Sequence, residues 1–437
     1  MNSTFIARPN WLGRMTMAAV LLAWISISSA EAQSASAVPF TLSDALNLAL
    51  ENNPITDAAR EEIRAAESDA LQAGLWDNPI LGAEIEEFGS DRGGLGDADT
   101  TLSINQTIPL GGDRGRARDA ASAWARAATA DLALQRTRLL ASTAQAYVDA
   151  QAASETLSLR TELLEIANNS AEAIRSRVDA GRASPIERNR AEMLVGLATI
   201  AANDAESAQA AANDQLVAIW SGDAFSEELT SPLQSLDLSA FADANPVEWI
   251  SNNPGLIQLR AITRARGLEI RRERAEAIPD VTVGAGVRRF GATDETAFVA
   301  TLEIPIPIIN RNQGGVAAAA SRETAARLNE EVMRRSLIAQ YAASAGRFAR
   351  AQSTYTQLNQ NILPASENAL SAAQEAYREG AMDILNFLDI QRSYFNVRVD
   401  LIAARAELAR AAIELDAIAG APQLTRLVQT TSEEAAQ

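Results

Sequence analysis

From Arg116 to Ala180 the chain runs without a glycine or a proline, and the stretch is rich in Ala, Arg, Glu, Leu and Gln. As one helix, about 65 residues rising 1.5 Å each would reach roughly 100 Å. Helices in globular domains average about 11 residues, so no ordinary globular domain accommodates this rod. Leu157, Leu164, Ala171 and Val178 recur every seven residues, a coiled-coil spacing, while Arg160 interrupts the companion position. The seam is small and Ala-rich, which suits close packing against several neighbours.

The rod occurs twice. Asn52-Asn53-Pro54 returns as Asn252-Asn253-Pro254, and Thr101-Leu102-x-Ile104 returns as Thr301-Leu302-x-Ile304. Gly181, which ends the first rod, returns as Gly380 in Tyr377-Arg378-Glu379-Gly380. Ordered matches at a near-constant offset mark one structural unit used twice. The first unit spans 33–220, with a β-hairpin at 79–110, a long helix at 113–180 and a return helix at 183–220. The second spans 246–420, with a hairpin at 279–308, a long helix at 315–379 bent at Gly346 and Pro364, and a return helix at 381–419. Residues 221–245 form the linker, and 421–437 read as a disordered tail. Leu388, Phe395, Ile402 and Ala409 mark the seam of the second return helix.

Each hairpin alternates. Leu81, Ala83 and Ile85 oppose Gly82, Glu84 and Glu86; Leu102, Ile104 and Ile108 oppose Thr101, Ser103, Asn105 and Thr107. In the second unit Val281, Val283, Ala285 and Val287 oppose Thr282, Gly284, Gly286 and Arg288, and Phe298, Ala300, Leu302 and Ile304 oppose Thr301 and Glu303. Val299 interrupts that last polar face. About ten residues is the length a tilted strand needs to cross a bilayer. Two hairpins of a soluble sheet would show the same alternation. Trp76, Phe88 and Phe290, near the strand ends, suit interfacial anchors or ordinary packing.

Composition removes most catalytic classes. With no histidine and no cysteine, the chain builds no Ser-His-Asp triad, Cys-His dyad, disulfide or ordinary zinc site. No enzyme and no cofactor is expected. A net charge of −18 disfavours nucleic acid and is compatible with handling cations. Residues 1–32 read as a secretory signal: Arg8 and Arg14, an apolar stretch from Met15 to Ile27, then Ala30-Glu31-Ala32 as a small-x-small cleavage site. A retained anchor is the alternative. No apolar run of about 20 residues follows, so export leads to a soluble compartment or to an outer membrane entered through strands.

If the hairpins enter a membrane, a constraint appears. Four strands cannot close a barrel, and open edges are not tolerated in lipid. Several copies would have to share one barrel, with the rods hanging below it and the Gly turns forming a ring at the far end. Such an object is a conduit.

From about Thr41 to Gly420 the sequence resembles the TolC-like outer-membrane efflux proteins. The resemblance rests on Leu46-x-Leu48-Ala49-Leu50-x-Asn52-Asn53-Pro54, Asn78-Pro79-x-Leu81 and Gln106-Thr107-Ile108-x-Leu110-Gly111-Gly112-x-Arg114. Ile306-Pro307-Ile308-Ile309-Asn310-Arg311-Asn312-Gln313-Gly314 and Tyr377-Arg378-Glu379-Gly380 add to it. Glu84-Ile85-Glu86-x-Phe88-Gly89 and Leu110-Gly111-Gly112 look most like the heavy-metal efflux (CzcC-like) branch. The resemblance implies an α+β membrane protein: an antiparallel long-helix tunnel plus a β-barrel shared between protomers, four strands per chain. It further implies a homotrimer in outer-membrane lipid, docked to a periplasmic membrane-fusion adaptor and an inner-membrane RND pump. Drug efflux and type I protein secretion are the neighbouring possibilities; a soluble periplasmic coiled-coil scaffold is the alternative of another class.

In that family, acidic positions six and nine residues after the turn glycines line the entrance. Glu187 and Asp389 match in charge, while Asn386 departs. Met382 stands where a basic residue is common, so the usual gate salt bridge is not expected. Asp389 from three copies would form a negative ring. Gly181 and Gly380 would supply the tight turns, leaving Arg182, Ser184, Ala381 and Asp383 exposed at the tip for adaptor contact.

Overall fold

The computed structural model describes residues 39–88, 97–220, 222, 228–241 and 245–434, with side chains to 429. The expected signal segment, the centre of the first hairpin loop and parts of the linker lie outside the described residues.

The first unit opens with α1 (Leu42–Asn52), started by a reciprocal capping box in which Thr41 and Asp44 satisfy each other's backbone N–H groups. Asn53 then caps α2 (Pro54–Gln72). Strands β1 (Ile80–Glu86) and β2 (Asp99–Ile108) follow, then the uninterrupted α3 (Asp113–Asp179) and the return helix α4 (Pro185–Val217). The second unit repeats the order: α5 (Pro246–Ser251), α6 (Pro254–Glu276), β3 (Val281–Arg289) and β4 (Thr296–Glu303). Its rod is α7 (Gln313–Gln357), a π-helical turn over Leu358–Ile362 and α8 (Leu363–Arg378), followed by the return helix α9 (Ile384–Ile418). No described helix is long and apolar enough to cross a membrane.

The two rods differ where the residues do. Pro364 has no N–H to donate, and the π turn just ahead of it absorbs the mismatch. Gly346, expected as a bend, lies inside an unbroken α7 between buried Ser344 and Phe348. One helical glycine costs only about 1 kcal/mol, which that packing offsets.

The tail is a correction. Instead of disorder after Gly420, a helix α10 (Pro422–Glu434) folds back, with Ala421 and Leu424 fully buried. The buried Asp416 carboxylate accepts from the Gln423 and Leu424 N–H groups at 3.0 and 3.1 Å and so starts this helix. Leu424, Leu427 and Val428 supply its apolar face, a pattern too short to stand out against polar neighbours.

The main core gathers around α1, the middle of α3, the end of α9 and the linker: Leu42, Leu46, Tyr147, Leu216, Phe241, Ile413 and Leu424 are buried together. The linker takes part in it. Its Leu229 bridges Phe40 in parallel, and the Tyr147 hydroxyl donates to the Phe40 carbonyl at 2.7 Å. Along the rods, three pairs join the units in antiparallel steps: Arg398 with Glu162 at 2.8 Å, Arg405 with Glu155, and Arg410 with Asp149 at 2.7 Å. All three bases lie on α9 and all three acids on α3.

Candidate functional site: sheet face and helical tip

The four strands form one antiparallel sheet in the order β1-β2-β3-β4, so β2 of one unit pairs with β3 of the other. Register puts Leu81 opposite Ile104, Leu102 opposite Val287, and Val287 opposite Phe298. The apolar residues of all four strands therefore share one face, and among the described residues nothing covers it: Phe298 is 92% and Leu81 75% exposed. An uncovered apolar face of this extent marks a surface built to meet lipid or protein.

The opposite face is polar. Thr301 Oγ1 donates to Asn105 Oδ1 at 3.2 Å across β3, which is possible because Gly284 lies between them. A Cβ at Gly284 would meet Asn105 Oδ1 at 2.0 Å. Toward the hairpin ends Arg288 pairs with Glu86 and with Asp99 at 3.6 Å, tying three strands together. Arg288 also lies beside the Phe290 ring, 5.7 Å from its centroid, so Phe290 is packed; Trp76 and Phe88 are exposed. β1 and β4 each have one edge unpaired among the described residues.

At the other end of the rods, both turns have the same construction. Gly181 (φ 69°) ends α3 with Gly181 N–H to the Val178 carbonyl at 2.9 Å and Arg182 N–H to the Arg177 carbonyl at 2.8 Å. Gly380 (φ 77°) ends α8 with the matching bonds to Tyr377 and Ala376 at 3.1 and 2.8 Å. These are Schellman closures, which need a residue at positive φ.

The polar residues next to the glycines are occupied. Ser184 is only part-exposed: its hydroxyl accepts from Ile186 N–H at 3.2 Å, and Glu187 accepts from Ser184 N–H at 3.1 Å. Asp383 caps α9, accepting from Asn386 and Leu385 N–H, and these two backbone donors hold its carboxyl below the ordinary range. Asn386 turns its amide onto the same carboxylate. Asp389 is exposed, with Arg392 at 3.7 Å. Arg182, Ala381 and Asp383 are exposed at the turns. Ser184-Pro185-Ile186-Glu187 is a capping box legible in the sequence, and it gives Glu187 a structural task that the entrance reading leaves out.

Sequence reasoning also missed what joins the two tips. Arg177 Nη1 donates to the Tyr377 hydroxyl at 2.8 Å, and the Tyr377 ring stacks on Phe387 at 5.2 Å. Beneath them Ile174, Ala171, Ala191 and Ile384 form a small core of their own. The candidate residues therefore gather at two adjoining turns, while Glu187 and Asp389 belong to different return helices.

An open-edged sheet with one apolar face, carried on helices of about 100 Å, defines an α+β membrane protein whose four strands are too few to close a barrel alone. The family model of the outer membrane efflux protein matches residues 45–222 and 245–421, and this chain belongs to that family. The cobalt-zinc-cadmium resistance protein CzcC of Cupriavidus metallidurans is 28% identical over 384 residues, 87% of this chain and 90% of that protein. The nickel and cobalt resistance protein CnrC of the same organism is 31% identical, over 78% of this chain and 80% of its own length. In fold, a crystal structure of CusC superposes with a TM-score of 0.71 at 20% identity, covering 88% of this chain and 93% of that one.

Proposed function

We propose that this protein is the outer-membrane exit duct of a tripartite efflux system that exports heavy-metal cations. One observation carries the duct reading: the sheet presents an apolar face to the outside and leaves two strand edges open, directly above rods too long for a globular domain. In lipid, open edges have to be paired. Three copies would pair them edge to edge and close a twelve-stranded barrel, with the polar face of Asn105, Thr301 and Gly284 as its lining. The rods then form the wall of a periplasmic tunnel, and the Gly181 and Gly380 turns form its entrance. A periplasmic adaptor would meet Arg182, Ser184, Ala381 and Asp383, and an inner-membrane RND pump would supply the energy. The duct itself is passive and catalyses nothing.

The cargo class rests on the named resistances of the CzcC and CnrC relatives, over most of both chains. The acidic balance of the chain fits a cation. Glu187 and Asp389 are the proposed charges of the entrance, with Asn386 as its neutral counterpart. Deleting the gene should sensitise cells to cobalt, zinc, cadmium or nickel, and the plasmid-borne gene should restore tolerance. Unchanged metal tolerance together with new drug sensitivity would move the protein to the drug branch.

A further inference from the structure

The apolar face of the sheet does not stop where the strands do. Glu303 is the last paired residue of β4, yet Ile304 and Ile306 keep the outward parity of Phe298, Ala300 and Leu302. Pro307 then closes a three-residue turn, with Ile308 N–H on the Ile306 carbonyl at 2.9 Å, which presents Ile308 and Ile309. Ile306 is 78% and Ile309 87% exposed. Pairing with a neighbouring strand would satisfy the backbone edge, but it would leave these outward side chains uncovered.

At the level where this strap ends, arginines appear. Arg311 follows it and folds back, its Nε donating to the Pro307 carbonyl at 3.2 Å. Arg114 stands at the corresponding place in the first unit, just past Leu110, and lies 4.1 Å above the exposed Trp76 ring. Arg116 on α3 and Arg271 and Arg274 on α6 complete the level. The last turn of α6 is wedged between the starts of both rods: a Cβ on Gly111 would meet the Ala275 carbonyl at 2.4 Å, and Asn312 Nδ2 donates to the Glu273 carbonyl at 2.9 Å. Arg116, Arg271, Arg274 and Arg311 are exposed, and none has a carboxylate within ion-pair distance among the described residues. Farther along the helices Arg260, Arg334 and Arg335 are paired with glutamates, while Arg136, Arg138 and Arg264 are exposed with no ion pair among the described residues. What sets this level apart is its place beside the isoleucine strap and the Trp76 ring.

We propose that these arginines and the isoleucine strap form a collar that binds anionic phospholipid headgroups at the tunnel end of the barrel. An apolar band, an aromatic ring and unpaired guanidinium groups in that order match acyl chain, interface and phosphate. A guanidinium binds phosphate oxygens through paired N–H donors. Asp77, Asp119 and Glu276 belong to the same level, so the collar selects by direct guanidinium contact rather than by net field. The proposal rests on the membrane reading above and adds the lipid class and the residues.

The test uses the detergent-purified full chain, the Arg116→Gln/Arg271→Gln/Arg311→Gln variant and the matching triple Lys variant. Each is titrated with phosphatidylglycerol, phosphatidylcholine or inorganic phosphate, following the midpoint of thermal dissociation and the lipid retained in native mass spectra. The wild type should retain phosphatidylglycerol in preference to phosphatidylcholine and be stabilised by it. The Gln variant should lose about fivefold in apparent affinity per arginine, the equivalent of the ~1 kcal/mol a basic side chain gains near an anionic surface. The Lys variant keeps the charge but not the paired N–H donors, so it should lose most of the preference. A Lys variant that matches the wild type would overturn selection by guanidinium contact. Equal retention of both lipids by a detergent-requiring oligomer, or equal stabilisation by free phosphate, would overturn the collar alone. A chain that stays soluble and monomeric without detergent would overturn the membrane reading beneath it.

Discussion

Asn253 Nδ2 donates to the Ile418 carbonyl at 3.0 Å, so a side chain that starts one helix also closes the end of another. Its Oδ1 accepts from the Gly255 and Leu256 N–H groups and caps α6, while its amide satisfies the last carbonyl of α9, 165 residues away. Asn53 does the same in the first unit, capping α2 and donating to the Ile219 carbonyl at 2.6 Å. The repeated Asn-Asn-Pro is thus a clasp between the start and the end of each unit. Asn253→Ala should destabilise the protein by about 2–3 kcal/mol, from a lost cap and a buried carbonyl left without its donor. Asn53→Ala, at a less buried site, should cost about 1 kcal/mol. Chemical denaturation of both variants checks the order; equal costs would contradict it.

Asp416 makes stability depend on pH. Burial raises its carboxyl from 3.8 to about 6, against the lowering pull of the Leu424 and Gln423 N–H groups and Arg426. A carboxyl with a raised folded pKa favours the folded state while protonated, and that contribution declines as pH climbs from about 4 through 6. At ~1.4 kcal/mol per unit, the decline is about 3 kcal/mol. Melting of the wild type should weaken over this window, and Asp416→Asn, which keeps one acceptor for the two N–H groups, should flatten the slope. An unchanged slope would assign the titration to another group.

The two turn glycines have room around them but not conformational freedom to spare. A Cβ at Gly181 or Gly380 would meet nothing within 4 Å, so the cost of alanine is purely that of positive φ, about 1–2 kcal/mol each. Gly→Asn at the same places should cost less, because asparagine tolerates this region. Thermal midpoints of the four single variants decide it; alanine and asparagine variants with equal midpoints would point to a steric cause.

At the proposed entrance, Tyr377→Phe removes the hydroxyl that accepts from Arg177 while keeping the ring on Phe387. Single-channel conductance in planar bilayers should rise, since the hydrogen bond joins the tips of the two units. Asp389→Asn should lower cation selectivity, whereas Glu187→Gln, with its carboxylate committed to a cap, should act more on stability. A larger selectivity change at Glu187 would reverse these roles.

Much of the fold was written in local signals. The rod of α3 follows from a stretch without glycine or proline, the hairpins from alternation, and the turns from Gly181 and Gly380. The helix after Gly420 was hidden because its start depends on Asp416, a long-range cap, and not on a residue just ahead of it. The Arg177–Tyr377 contact joins residues 200 positions apart, and periodicity carries no such pairing. At the tip, glycine spacing located the turns, but the competing task of Ser184 and Glu187 lay in a cap motif overshadowed by the expected charge ring.

In the proposed duct the open sheet closes only by joining other copies of itself. The chain has no cysteine, so single cysteines placed along β1 and along β4 would form disulfides only with each other. Chains carrying one cysteine at Leu81, Ala83 or Ile85 and one at Ala300, Leu302 or Ile304, oxidised in native membranes, should give a denaturant-resistant ladder that ends at three chains. A ladder that stops at two, continues past three, or forms only in the soluble fraction would contradict the shared barrel.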